Sequence, residues 1–326
     1  MKKKKILITG AAGFIGSHLS EFFVKKGYKV LAFDRYNTDN NFGWLEQSYY
    51  KKDMNCVLGD IRDYDSVNKT IKECDAVIHL AALIGIPYSY FSPLAYIKTN
   101  IEGTYNVLEA AKNHKVNNVI ITSTSEIYGS AQYTPIDENH PVNSQSPYAA
   151  SKAAADQIAL SFYRSFKLPV KILRPFNTYG PRQSSRAIIP SIITQCIKNK
   201  KNNLYLGNLK PTRDFSYVED TCNAFYHVFN SEKLVGQIIN SGTNSNVSMK
   251  FLALKIAKIM GRNISIKQNK NKMRPIASEV DNLKCDNKKI VKITKWKPKT
   301  SLNNGLKKTI EWVKKNISYY TDTYSL

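Results

Sequence analysis

The amino-acid sequence predicts an α/β fold: a doubly wound parallel sheet followed by a smaller C-terminal α/β lobe. Two observations carry that expectation. Up to residue 175, short apolar runs rich in β-formers alternate with longer amphipathic stretches, the pattern of strand–helix–strand crossovers. After Pro175 the rhythm changes: loops lengthen, and helices separate only small strand candidates.

Taken in order, Lys4–Thr9, Lys29–Phe33, Asn55–Leu58, Ala76–Leu80, Asn118–Thr122 and Pro169–Leu173 read as buried parallel strands. Each is short and bounded by turn or charged residues. Between them, Phe14–Lys26, Ser66–Lys72, Ile101–His114 and Pro147–Phe166 carry helical periodicity. Right-handed crossovers place such helices on both faces of one sheet. Beyond it, Ile188–Lys198, Val218–Phe229, Met249–Met260 and Asn303–Lys315 read as helices of a lobe over the carboxyl ends of the strands. The expected division is 1–175 for the sheet domain, with room for a strand from the second half, 176–317 for the lobe, and 318–326 for a loosely held tail.

Composition narrows the class of function. The 326 residues include 48 Lys+Arg against 25 Asp+Glu, a formal net charge of +23. That excess invites a nucleic-acid reading. It is nearly all lysine, however, spread along the chain with no basic–aromatic repeat and no zinc-finger or heptad pattern. Neither a nucleic-acid nor a membrane partner is expected, because no apolar run approaches the ~18 residues of a membrane span. The five cysteines are scattered and form no CxxC pair, which fits a reducing, cytoplasmic setting and argues against a disulfide scaffold or a structural metal site. The histidines show no metal-ligand spacing, so no metal is expected, and His79, His114, His140 and His227 read as packing or surface residues.

Gly10-Ala-Ala-Gly13-Phe14-Ile15-Gly16 directly follows the first strand and opens a helix. Gly10 permits the tight turn, Gly13 lets backbone approach a pyrophosphate, and Gly16 lets helix and strand pack closely. Asp34 ends the second strand. A carboxylate there accepts bonds from ribose hydroxyls and repels a 2′-phosphate, so the expected cofactor is NAD, in a Rossmann-type domain; the adjacent Arg35 pulls the other way. Asp60, Ile61, Leu80, Ala81, Ala82 and Pro175 lie at or beyond the carboxyl ends of strands, where such sheets bind ligands, and join the candidate cofactor set with Phe14 and Ile15.

Tyr148 and Lys152 lie at i and i+4 of one helix, so phenol and ammonium share a face. The ammonium is expected to lower the tyrosine pKa toward working pH, as suits a base that takes a sugar hydroxyl proton. Ser123-Thr124-Ser125-Glu126 closes the fifth strand. Thr124 is placed to bond a substrate hydroxyl beside Tyr148, and Glu126 puts a carboxylate at the switch-point crevice of the sheet.

With these motifs, Arg174-Pro-Phe-Asn-Thr-Tyr-Gly-Pro-Arg182 and Pro211-Thr-Arg-Asp-Phe-Ser-Tyr-Val218, the chain resembles the extended short-chain dehydrogenases/reductases of the nucleotide-sugar type, over nearly its whole length. Within that family a Thr-(Asp/Ser)-Glu segment marks 4,6-dehydratases, whereas epimerases usually carry small or apolar residues there. More narrowly, Ala82–Tyr90 and Gln183–Pro190 are similar to the nucleotide-N-acetylglucosamine 4,6-dehydratases of the legionaminic acid pathway, with GDP or UDP as the nucleotide.

The resemblance implies that Tyr148 takes the C4 hydroxyl proton as hydride passes to NAD. Glu126 then removes the C5 proton, water leaves C6, and the hydride returns there. Relatives that carry Asp beside the Glu use it as the acid; here Ser125 stands in that place, and Glu126 is expected to serve as base and then acid. The implied substrate anchors are Asn177, Arg213 and Arg274 on the diphosphate and Glu279 near the nucleotide ribose. Arg182 and Arg186 join them from a loop motif. Asn100 is implied beside Lys152, and Leu83–Ser92 over the hexose. Arg35, Arg62, Arg164 and Arg262 read as surface ion pairs. A homodimer through the helices containing Asn106 and Tyr148 is expected. The alternatives are a 4-epimerase with the same machinery and, from another class, a non-catalytic member that binds RNA or a partner.

Overall fold

The computed structural model describes residues 4–199 and 202–321. Seven parallel strands form its main sheet: β1 (Lys5–Thr9), β2 (Lys29–Arg35), β3 (Met54–Gly59), β4 (Ala76–His79), β5 (Val119–Thr122), β6 (Val170–Pro175) and β7 (Ile238–Ser241). They lie in the order β3-β2-β1-β4-β5-β6-β7. The edge strand β7 comes from the second half of the chain and sets Ile238 opposite Ile172 and Ser241 opposite Pro175. The order reverses between β1 and β4, which makes the crevice above those two strands the ligand-binding position of a doubly wound sheet.

The apolar runs explain the two-sided cover. Side chains alternate across a strand, so Ile6 and Ile8 pack with Leu19 and Phe23 on one face, while Leu7 packs with Val107 and Leu108 on the other. A strand buried on both faces has no polar alternation to show. The catalytic-motif helix runs Pro147–Phe166, as its sequence predicts. Ser146 caps it by accepting from Ala149 N–H at 3.1 Å, and Pro147 begins the first turn, where no N–H is missed.

One expected helix differs. The stretch read as Ile101–His114 is an α-helix only from Gly103 to Asn113; it is preceded by a π turn at Ile97–Glu102. The wider turn carries Asn100, which is fully buried. A short helix at Ile86–Phe91 lies within Leu83–Ser92, the segment read as a covering loop, and another, Pro93–Tyr96, follows it, each with a proline in its first turn.

Among the described residues of the second half, helices Ile188–Lys198, Val218–Phe229, Met249–Ile259 and Leu302–Lys315 surround three small sheets. One pairs Phe215–Tyr217 with Asn177–Tyr179; another sets Thr212–Arg213 between Val247–Ser248 and Asn282–Leu283. The expected loose tail is held through residue 320. Tyr320 is buried, Lys198 Nζ donates to its carbonyl at 2.7 Å, and Tyr319 packs edge-on against Trp44. Residues 322–326 lie outside the described residues. Among the described residues, no helix is long and apolar enough to cross a membrane.

Candidate active site

The cofactor end is built from backbone. Gly10 adopts φ +70°, and a Cβ there would lie 2.8 Å from Ala81 N. A Cβ on Gly16 would lie 2.0 Å from Gly10 O. The glycine turn, the helix start and Leu80–Ala82 therefore close on one another with no side chain between them. Thr9 Oγ1 fastens this junction, accepting from Leu80 N–H and Ala81 N–H at 3.2 Å each. Ala12 N–H donates to the Asp34 carboxylate at 2.6 Å, and Arg35 N–H at 2.7 Å. Burial pushes Asp34 up, and these two N–H groups oppose it. Gly13 caps the helix beginning at Phe14 and Ile15 without a capping side chain, so the first N–H groups of that helix can meet a phosphate. A cradle that excludes any Cβ, a helix N-terminus and a carboxylate at the end of β2 fit NAD.

The other cofactor candidates divide. Ile61 is buried, and its carbonyl accepts from Asn106 Nδ2 at 2.9 Å. The Asp60 carboxylate is chelated by Arg62, with Nη2 at 2.5 Å, so Arg62 forms the expected surface pair. Asn100 accepts from Leu83 N–H at 2.8 Å and donates to Leu83 O and Ser151 Oγ at 2.9 Å each. It thus borders the residue before Lys152 and fixes the start of the Leu83–Ser92 segment. Pro175 ends β6, directly before Phe176, whose N–H donates to Ser241 O at 2.8 Å.

At the reacting face, the Thr124 hydroxyl accepts from Glu126 N–H at 3.2 Å and also bonds the Tyr148 side chain. Tyr148 packs with Ile86 and Tyr96. The expected lowering of its pKa is not what the fold produces: burial raises the phenol, the nearby Glu126 and Asp156 charges add to that, and the Thr124 bond opposes it. The sequence shows the ammonium one turn away but not the dry, partly anionic surroundings. Burial also brings Lys152 down to about 8, against the pull of Asp156. His79, read as a packing residue, is buried between Thr9 Oγ1 at 2.7 Å and Thr104 Oγ1 at 3.1 Å.

Asp156 was not singled out in the sequence, although it lies one helical turn beyond Lys152 and so shares its face. It is fully buried. Its carboxylate accepts from Ser123 Oγ at 2.8 Å and pairs with Arg174 at 3.0 Å. Arg174 in turn donates to Tyr128 Oη at 2.9 Å, so one buried network joins the catalytic helix, β6 and both ends of the Ser123–Tyr128 segment.

Glu126 lies between two cations. Arg274 Nη1 stands 3.3 Å from one carboxylate oxygen and Arg213 Nε 3.8 Å from the other. Arg213 Nη2 also lies 3.8 Å from Glu279. Asn177 Oδ1 is buried and has no partner among the described residues, as an anchor aimed at a ligand would be. Arg182 is placed elsewhere: it pairs with Glu21 at 2.8 Å and stacks over Trp312, which engages it with the glycine-loop helix and the C-terminal helix instead of the Glu126 cluster. Arg186 is exposed, and its guanidinium would stand 3.1 Å from a Cβ on Gly85, beside the Leu83–Ser92 segment. Among the described residues, no group of three or more His, Cys, Asp or Glu is placed to hold a metal.

Residues 7–309 match the family model described as GDP-mannose 4,6 dehydratase. The chain is 35% identical over 271 residues to the dTDP-D-glucose 4,6-dehydratase of Dictyostelium discoideum; the match covers 78% of this chain and 62% of that protein, under two thirds of its length. It is 31% identical to a putative UDP-glucose 4-epimerase of Methanocaldococcus jannaschii, over 95% of this chain and 99% of that one. Among solved structures it superposes on DesIV, the dTDP-glucose 4,6-dehydratase of Streptomyces venezuelae with NAD bound. That match has a TM-score of 0.89 at 28% identity and covers 97% of this chain and 98% of that one.

Proposed function

This chain belongs to the GDP-mannose 4,6 dehydratase family of NAD-dependent nucleotide-sugar enzymes, and within it we propose a 4,6-dehydratase of GDP- or UDP-N-acetylglucosamine that serves legionaminic acid or a related surface glycan. The observation that carries the reading is Glu126: a buried carboxylate two residues after Thr124, set between Arg213 and Arg274 and close enough to Tyr148 to raise its pKa. An epimerase needs no such group. The N-acetylglucosamine part rests on the Ala82–Tyr90 and Gln183–Pro190 resemblance.

When bound, NAD supplies a reversible hydride acceptor, so the cycle carries no net redox change. Tyr148 Oη takes the C4 hydroxyl proton as C4 becomes a ketone, and the Thr124 hydroxyl orients that phenol. Lys152, buried on the same helix face, contributes a positive charge that favours the phenolate, the form of Tyr148 that takes the proton. The ketone acidifies the C5–H. Glu126 takes that proton as base and gives it, as acid, to the hydroxide leaving C6, which departs as water; C5 later takes a proton from solvent, balanced by the one Tyr148 took from the C4 hydroxyl and releases. Ser125 positions the segment. Arg213, Arg274 and Asn177 hold the diphosphate, the arginine forks matching its oxygens. A homodimer through the helices containing Asn106 and Tyr148 belongs to the same reading, supported by Tyr105 and Phe166, which stand exposed on them.

The deciding experiment incubates the protein with NAD and either GDP- or UDP-N-acetylglucosamine and weighs the product. Loss of one water supports the dehydratase. An isomer of unchanged mass would make it an epimerase.

A further inference from the structure

Four segments that supply the site are joined by hydrogen bonds that the chemistry above does not use. Tyr90 Oη lies 2.6 Å from Ser278 Oγ. Ser278 Oγ donates to Gln145 O, so its one proton is committed and Tyr90 is the donor to Ser278. The Gln145 carboxamide donates to Ala277 O at 2.8 Å and Glu279 O at 3.3 Å, and its oxygen accepts from Ser130 N–H. Ser130 Oγ also donates to Glu279 O at 3.3 Å.

Each partner stands next to a functional residue. Gln145 immediately precedes Ser146, the cap of the Tyr148 helix. Ser130 follows the Ser125–Tyr128 turn that carries Glu126. Tyr90 sits in the Ile86–Phe91 helix and packs on the cluster that contains Tyr148. Ser278 and Glu279 lie in the segment that begins at Arg274, whose regular structure is a single 3-10 turn at Ile276–Ser278 and whose Ile276 is 96% exposed. With so little packing of its own, this segment takes its position from polar contacts.

We propose that Tyr90, Ser278 and Gln145 form a latch that holds the Arg274–Glu279 segment in register with Tyr148 and Glu126, so that the arginine meets the ligand's diphosphate while the sugar faces the reacting groups. They are positioning residues. The inference rests on the ligand being a nucleotide-linked sugar. Among the described residues the latch forms no bond to the glycine turn or to Asp34, so NAD binding is the internal control.

The test uses the 326-residue chain and the variants Tyr90→Phe, Ser278→Ala and their combination. Hydrogen exchange over residues 274–281 is measured with NAD present, and binding of GDP, UDP and NAD is measured separately by calorimetry. Tyr90→Phe is expected to speed exchange in 274–281, to weaken whichever nucleoside diphosphate the parent takes by roughly 3- to 10-fold, and to leave NAD affinity unchanged. The combined variant is expected to be no weaker than Ser278→Ala alone, because the one bond that Tyr90→Phe removes is already among the two that Ser278→Ala removes. Unchanged exchange in Tyr90→Phe, or additive losses, would overturn the latch. Faster exchange in a protein that binds neither GDP nor UDP would keep the latch and sink the substrate reading. Should Ser278→Ala fail to fold, Tyr90→Phe decides, since it keeps the ring and its packing.

Discussion

Arg274 Nη1 stands 3.3 Å from Glu126 Oε2, so the group proposed to move the C5 proton and a group proposed to hold the diphosphate share one contact. Glu126→Gln keeps the shape and removes the base. C4 oxidation is expected to persist, visible as accumulating NADH absorbance, while water release falls by about 10²- to 10⁴-fold. Normal water release in this variant would remove Glu126 from the mechanism.

The two arginines are expected to separate. Arg274 is partly exposed, and Arg274→Ala should raise KM for the sugar nucleotide by roughly 10- to 100-fold, the worth of charge-assisted bonds, with kcat changed less. Arg274→Lys restores the charge but not the fork and should recover only part. Arg213 is buried against both Glu126 and Glu279, so Arg213→Ala should also lower the thermal midpoint, because it takes a buried cation from Glu279 and leaves Glu126 with Arg274 alone. Equal melting of both variants would argue against that division.

What the sequence revealed and what it hid divide on physical grounds. The glycine turn, Asp34, Tyr148 and Lys152 were legible because chemistry fixes their spacing along the chain, and the strands were legible because double burial leaves unbroken apolar runs. The π turn at Asn100 was not, since one extra residue in a turn leaves helical periodicity almost intact. The fate of Arg182 was hidden because its partner, Glu21, lies far away in sequence. The Tyr148 pKa depends on desolvation, which no local pattern encodes. Gln145 carries no sequence signal: its carboxamide acts on segments that only the fold brings together.

The Asp156 network predicts a pH effect. Lys152 is brought down to about 8 by burial, so it holds its charge below about pH 8 and loses it above. Activity that depends on the ammonium should decline through that region. Asp156 is the carboxylate that opposes the lowering, while Arg174 and Ser123 hold Asp156 from β6 and β5. Asp156→Asn should therefore move the alkaline decline of kcat to lower pH. Asp156→Glu should restore the decline in part. A variant that merely loses activity, with the decline in place, would reduce Asp156 to a packing role.

Asp34 sets the last prediction. Its carboxylate accepts from Ala12 N–H in the glycine turn, which aims it at the crevice where an adenosine ribose would lie. Burial raises its pKa above that of an ordinary aspartate, so it takes up a proton at a higher pH than a solvated carboxylate would. The ionised form is the one that accepts both ribose hydroxyls and repels a 2′-phosphate. NAD affinity should therefore be full above that raised pKa and fall as pH drops through it, while NADP is disfavoured most where the charge is present. Asp34→Asn removes the charge but keeps an acceptor. Calorimetric titrations across pH should show weaker NAD binding for this variant, a flattened pH dependence and a smaller NAD/NADP ratio. A parent-like ratio in Asp34→Asn would mean that Arg35, or another group at the end of β2, governs the choice of dinucleotide.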